Sequence, residues 1–315
     1  MYDIIKQRRW FYLFSALIIV PGLISMIMTL ASYNSLVRLS IDFTGGTLWT
    51  LTLTKAAPPG EFVRILEANG FSGATVRTIE NDTTYEVQTD SLTPADKEKL
   101  MAAMTTAFGE APKELAYRTV GPAISSQVTR AAFIAVIVAS AAILLFIIFA
   151  FRNLSHPVRY GVCAVTAMIH DILVTLGFVS IMGWLAGWKA DALTLTALLT
   201  IIAFSVQDTI VVFDRIRENS RRRRGEEFEV IVNRSLLETI HRSLATQLSA
   251  FFVLTALVLF GGVTIRQFAL TLVVGLLSGT YSSIFNATPL VVSWDKGAFN
   301  LRRYFGGAKR TAAPA

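Results

Sequence analysis

The sequence predicts an α-helical membrane protein, with six transmembrane helices and an α+β domain inserted between helices 1 and 2. Three observations predict it. The 315 residues are 53% hydrophobic and only 16% charged, with a mean hydropathy of +0.53. That is too apolar for a soluble, collagenous or disordered chain. Six apolar runs, each long enough to cross a hydrocarbon layer of about 30 Å, are bounded by charged residues. Between the first and second of them lies one long stretch of mixed polarity, residues 33–129.

The first run, 10–30, has no small-residue cleavage site and exceeds a signal-peptide core, so it is expected to stay as an anchor. The others are 130–151, 158–184, 193–213, 244–263 and 268–294. The resulting organisation is 1–32 for the N-terminus and first span, 33–129 for the insert, 130–294 for the remaining five spans and 295–315 for a tail.

Lysine and arginine in the short loops set the orientation. Lys6, Arg8 and Arg9 precede span one, and Arg152 and Arg159 join spans two and three. Arg215, Arg217 and Arg221, Arg222, Arg223 and Arg224 follow span four, and Arg302, Arg303, Lys309 and Arg310 end the chain. All fall on one side if the spans alternate, against Lys189 and Arg266 in the two short loops opposite. Both termini are therefore expected in the cytoplasm and the insert outside it. This bias accounts for the net charge of +7 without nucleic acid. For the arginine run at 221–224 a contact with anionic lipid or an acidic partner stays open.

Within the insert, alternating β-rich residues at 47–54 predict a strand, closed by Pro58 and Pro59. Phe62, Ile65 and Leu66 have helical spacing, stopped at Asn69-Gly70. Strands at 74–80 and 83–89 with a tight turn at Asn81-Asp82, a helix at 91–108 and a strand at 114–119 complete the series. The order β-α-β-β-α-β is that of a ferredoxin-like domain.

Ionisable side chains inside a span cost about 3 kcal/mol each on insertion scales, so each demands an account. Asp208 lies seven residues inside Arg215, roughly 10 Å from the cytoplasmic end of span four. Thr194, Ser205 and Asp208 share one helical stripe, which should face helices or water rather than lipid. Burial disfavours the charged form of a carboxylate and a nearby cation favours it, so a movable cation would let Asp208 take up and release a proton. Arg242, at the mouth of span five, is the candidate cation. The bland alternative is a fixed packing residue or a permanent ion pair. Asp171, near the middle of span three, extends such a relay or makes an interhelical hydrogen bond, and the sequence favours neither. His170 beside it reads as a packing histidine. Asp214, Arg215, Arg217 and Glu218 read as interface salt bridges, and Gly275 and Gly279 as small residues for close helix packing.

Several activities are excluded by pattern. There is no phosphate-binding glycine loop with lysine, no G-x-S-x-G elbow and no H-E-x-x-H helix. Cys163 is the sole cysteine and only three histidines occur, so neither a disulfide framework nor a metal site is expected, and no cofactor is implied. The chain is not expected to be an enzyme. The transmembrane potential, worth about 2.3 kcal/mol per charge per 100 mV, is sufficient to drive it.

One set of segments carries a family resemblance. Asp42, Phe43, Thr44, Gly45 and Gly46 follow span one within I-D-F-T-G-G-T, and Gly121-Pro122 precedes span two. Q-D-T-I-V-V-F-D-R-I-R-E-N occupies 207–219, H-R-S-L occupies 241–244 and F-G-G occupies 260–262. With six spans and one insert, the chain resembles the SecF family over almost its whole length. These are the smaller membrane subunits of the bacterial SecD-SecF protein-export factor, within the resistance-nodulation-division superfamily. The resemblance implies a subunit that uses the proton gradient to promote preprotein translocation across the cytoplasmic membrane. It implies a SecD-like subunit, the SecYEG channel, YidC, YajC and unfolded preprotein as partners, with membrane lipid around it. It maps the family's membrane acid to Asp208 and its span-five arginine to Arg242. Glutamine at 207, where a small polar residue is usual, is a departure. The rival readings are a translocon scaffold that conducts no protons and a small-molecule proton antiporter.

Overall fold

The structure, a computed structural model, describes residues 3–79, 82–152, 154, 156–223 and 225–297. The expected turn at Asn81, Arg224 of the arginine run, and the basic residues Arg302, Arg303, Lys309 and Arg310 lie outside the described residues. The chain divides into two compact units. One is built from the described residues of 1–37, 137–188 and 196–315, the other from those of 38–136 and 189–195.

After a single 3-10 turn, α1 runs Arg8–Tyr33 and stops where Asn34 takes a left-handed conformation, φ 53°, a common helix ending. A short helix α2 (Ile41–Thr44) leads into β1 (Gly46–Thr52) through Gly45 and Gly46, at φ 77° and 109°. A Cβ at Gly46 would sit 2.5 Å from the Thr89 carbonyl oxygen, so the paired glycines are dictated by this turn. Then follow α3 (Pro59–Ala68), β2 (Thr75–Thr78), β3 (Thr84–Thr89), α4 (Pro94–Phe108) and β4 (Lys113–Val120). Prolines open both helices, at the position where the missing N–H is least costly. Thr93 and Asp96 form a capping box at α4.

The four strands order β2-β3-β1-β4, all antiparallel. In this register Trp49 stands opposite Val87 on one side and Tyr117 on the other. Trp49, Leu51, Tyr85 and Val87 of the sheet bury against Phe62, Leu66, Leu100 and Met104 of the two helices. The alternation of buried and half-buried residues in β1 and β3 is the period-2 signal read from the sequence.

The other unit is helical. After α5 (Pro122–Ala150) come α6 (Pro157–Ala186), α7 (Ala192–Arg222), α8 (Phe228–Phe260), α9 (Val263–Ser282), a π-helical turn at Ser283–Ala287, and α10 (Thr288–Asp295). Among the described residues six helices are long and apolar enough to cross a membrane, the last running Ile265–Asp295 through the π turn. The helices outrun the apolar windows. α5 begins at Pro122, ahead of the expected 130, again with proline in the first turn. α8 begins at Phe228, ahead of the expected 244, because Asn233, Ser235 and Thr239 are polar yet buried and lower the local hydropathy. α1 and α6 approach so closely that a Cβ on Gly22 would lie 2.8 Å from the Gly177 Cα. Ser25, Thr29, Ser180 and Trp184 join the same two helices by hydrogen bonds of 2.8–3.1 Å. Gly275 and Gly279 face Ile201 and Ser205 of α7, as close packing requires.

Candidate functional site: two buried acids in the helical unit

The polar residues inside the helical unit collect around two carboxylates. Asp171, on α6, is 1% exposed. Its Oδ2 accepts hydrogen bonds from Ser205 Oγ of α7 at 2.5 Å and Ser282 Oγ of α9 at 2.6 Å. Its Oδ1 accepts from Ser278 Oγ of α9 at 2.6 Å and His170 Nδ1 at 3.0 Å. A carboxylate has about four acceptor positions, and all four are taken. Three helices are thereby tied to one side chain. Ser278 and Ser282 stand at i, i+4 on α9, immediately before its helix widens into the π turn.

Asp208 is 4% exposed and lies three residues beyond Ser205 on α7, so the two acids neighbour the same face of that helix. Among the described residues its carboxylate accepts one bond, from Gln247 Nε2 of α8 at 2.7 Å. On that face of α8, Ser235, Thr239, Ser243 and Gln247 repeat at every fourth position and are all buried. Ser243 Oγ and Gln247 Oε1 are buried with no partner among the described residues. Asp208 therefore sits in a sparsely satisfied polar seam between α7 and α8. Water or a movable side chain would find unmade hydrogen bonds there.

Arg242 lies elsewhere. It is exposed on α8, five residues before Gln247 or about 7.5 Å along the axis, and no ion pair joins it to an acid among the described residues. Thr194, the third member of the predicted stripe, belongs to the other unit, where it shares a reciprocal cap with Asp191 at the start of α7. Asp214, Arg215, Arg217 and Glu218 form ion pairs, and Glu238 joins them. Among the described residues no group of three or more His, Cys, Asp or Glu could hold a metal ion.

The Asp42 to Gly46 segment is tied to residues 190–192 within the sheet unit. Asp42, on α2, accepts from the Arg118 guanidinium of β4 through Oδ1 and from the Ala192 backbone N–H through Oδ2 at 3.0 Å. Ala192 is the first residue of α7, so a carboxylate meets the positive end of the helix that carries Asp208. Backbone bonds Ser40 N to Ala190 O at 2.8 Å and Ala190 N to Arg38 O at 2.7 Å hold the same junction. Phe43 is half-buried and its carbonyl accepts from Thr129; Thr44 is exposed and bonds back to Ser40.

The comparisons with known proteins decide the family. A profile described as "Protein export membrane protein SecD/SecF, C-terminal" matches residues 100–297. The protein translocase subunit SecF of Thermobaculum terrenum is 44% identical over 310 residues, covering 95% of this chain and 96% of that one. The SecF of Anaerolinea thermophila is 43% identical over 318 residues, covering 100% and 99%. The chain belongs to the SecF family. The crystal structure of SecDF from Thermus thermophilus, titled a translocon-associated membrane protein, superposes with a TM-score of 0.77 at 33% identity. It covers 94% of this SecF chain, which spans 39% of the longer SecDF chain. As a SecF, the chain is a multi-pass inner-membrane protein of the Sec export apparatus.

Sequence reasoning missed Gln247, Ser278 and Ser282. A neutral amide in the run L-A-T-Q-L carries no hydropathy alarm, and neither do two serines within an apolar span. The i+4 spacing of Ser235, Thr239, Ser243 and Gln247 was the available signal.

Proposed function

We propose that this Sec protein-export subunit uses the proton gradient to promote preprotein movement across the membrane, with Asp208 as the group that takes up and releases the proton. The observation that carries the reading is Asp208 itself, a buried acid with a single hydrogen bond among the described residues, from Gln247. In this reading Asp208 alternates between a protonated, Gln247-bonded state and a state paired with Arg242 swung inward along α8. Asp171, with its four donors, holds α6, α7 and α9 together beside the relay rather than carrying the proton itself. No nucleotide hydrolysis takes part.

The wider assembly follows from the same reading. The fusion of SecD and SecF in the Thermus thermophilus relative supports a SecD-like partner. The six-helix unit leaves α5 and α8 little covered, with 11% of their apolar windows buried against 44% for α6 and α7. SecYEG, YidC, YajC and the preprotein are the remaining proposed partners. The sheet unit is read as a ferredoxin-like domain outside the cytoplasm, residues 33–129, supported by its element order and by the β2-β3-β1-β4 sheet. Basic residues in the opposite loops support cytoplasmic termini. The Asp42 bond to α7 would carry motion between that domain and the helix of Asp208.

Export into inverted membrane vesicles, measured with and without an imposed proton gradient, tests the proposal. Asp208→Asn should abolish the gradient-dependent part and leave the rest. Gradient-dependent export at wild-type rate in that variant would overturn it.

A further inference from the structure

His170 has a bonding pattern that a packing histidine does not need. Its side chain is 10% exposed. Nδ1 lies 3.0 Å from Asp171 Oδ1, and a carboxylate that already receives three hydroxyl bonds can only accept there, so Nδ1 carries the hydrogen. Nε2 is then left either bare or protonated. It is buried with no partner among the described residues, an unmade bond that a proton with a water partner would satisfy. Every other polar atom of the cluster is paired: Ser205, Ser278 and Ser282 all donate to Asp171. A proton added to either oxygen of Asp171 would displace one of four donors, whereas a proton added to Nε2 displaces none.

The imidazole also lies beside space. It lines two clefts of the helical unit, of about 290 Å³ and 300 Å³; both are walled mostly by apolar side chains, and only the second has several polar side chains that could hold water. One is walled by Phe14, Val174 and Tyr281, the other by Tyr12, Ser15 and Asn286. The groups facing His170 are few. α6 itself gives Asp171, α1 gives only the Tyr12 phenol, and α9 gives the Tyr281 ring, stacked with centroids 6.3 Å apart. Among the described residues no lysine or arginine lines either cleft, so nothing cationic there opposes a positive charge on the ring.

We propose that the His170–Asp171 dyad is a second proton-binding site of the chain, in which Nε2 of His170 takes the proton while Nδ1–H keeps its bond to Asp171. The proton arrives from hydronium in a cleft: an N–H bond forms at Nε2, an O–H bond breaks, and water is left. The cluster passes from an anion to a neutral imidazolium–carboxylate pair without breaking any bond to α7 or α9. It therefore changes charge while the three helices stay tied. This site does not require Asp208 to work.

Histidine-specific nitrogen NMR on the full chain in liposomes tests it, with His156→Gln and His241→Gln leaving His170 as the sole imidazole. At high pH the spectrum should show a protonated Nδ1 and a bare Nε2. On acidification the bare-nitrogen signal should be lost as both nitrogens become protonated, and the same should hold in an Asp208→Asn chain. Proton uptake per chain on acidification should fall by one in His170→Gln. Three results would each overturn the proposal: an Nε2–H tautomer at high pH, a bare nitrogen that persists on acidification while the chain stays folded, or unchanged uptake in His170→Gln. Titration of His170 alongside normal gradient-driven export in Asp208→Asn would uphold this site while sinking the relay.

Discussion

Asp171 and Asp208 are both buried acids on neighbouring helices of one unit, yet the first is held by four donors from three helices and the second by one amide. Depth in the bundle does not separate them, since both are under 5% exposed. What separates them is how much of the carboxylate's hydrogen-bonding capacity the surrounding helices consume. A saturated acid works as a structural knot, because any change at its oxygens costs a bond to another helix. A sparsely bonded one is free to change partner or protonation at small structural cost. The lesson is that an intramembrane carboxylate is better classified by its acceptor count than by its burial.

The largest expected effect breaks the comparison on function. Asp208→Asn keeps shape and can still pair with a flipped Gln247, so unfolding should move by no more than about 1 kcal/mol. Gradient-driven export should fall to the level seen without a gradient. Export assays beside thermal unfolding in detergent read both. A variant that unfolds easily would show that Asp208 is a knot as well. The mirror experiment is Asp171→Ala, which leaves three serines and a histidine without their common acceptor. Stability should drop by about 3–5 kcal/mol, the usual result of removing one member of a buried charged network. A chain that keeps its wild-type unfolding temperature would refute the saturated knot.

How much of this contrast the sequence exposed depends on charge. Asp208 and Asp171 stand out because a carboxylate in an apolar run violates the hydropathy of everything around it. Their partners do not stand out. Gln247 and Ser278 are neutral, and the first turns of α8 pack through Asn233, Ser235 and Thr239, so the apolar window placed that helix sixteen residues late. Gly22 and Gly177 meet across two helices, a contact with no spacing rule inside either one. The strands of the insert were legible because β1 and β3 each bury one face, giving a clean period of two. A third variant uses the hidden partner. Gln247→Leu removes the bond to Asp208 and should cost about 1–2 kcal/mol, with the pH dependence of gradient-driven export displaced from wild type. An unmoved profile would mean that Gln247 does not govern Asp208.

The smallest effect concerns a half-buried cation in the other unit, and asks how far burial alone shifts a titratable group outside the bundle. Lys189 follows α6 and donates to Gln88 Oε1 of β3. Burial is the main cause that brings its ammonium down from the ordinary 10.5 to about 8, with Arg77 and Arg38 adding repulsion against the attraction of Glu86. Below pH 8 both folded and unfolded chains carry the proton, and folding bears the full cost of burying the charge. Between 8 and 10.5 the unfolded chain binds more protons than the folded one, so stability rises with pH across that window and levels off above it. Partial exposure and solvent screening reduce the effect to ~1 kcal/mol. Unfolding of wild type and Lys189→Met, compared at pH 7 and at pH 10, should show the wild type gaining on the variant as pH rises. A constant difference would mean that Lys189 keeps its ordinary proton affinity in the folded chain.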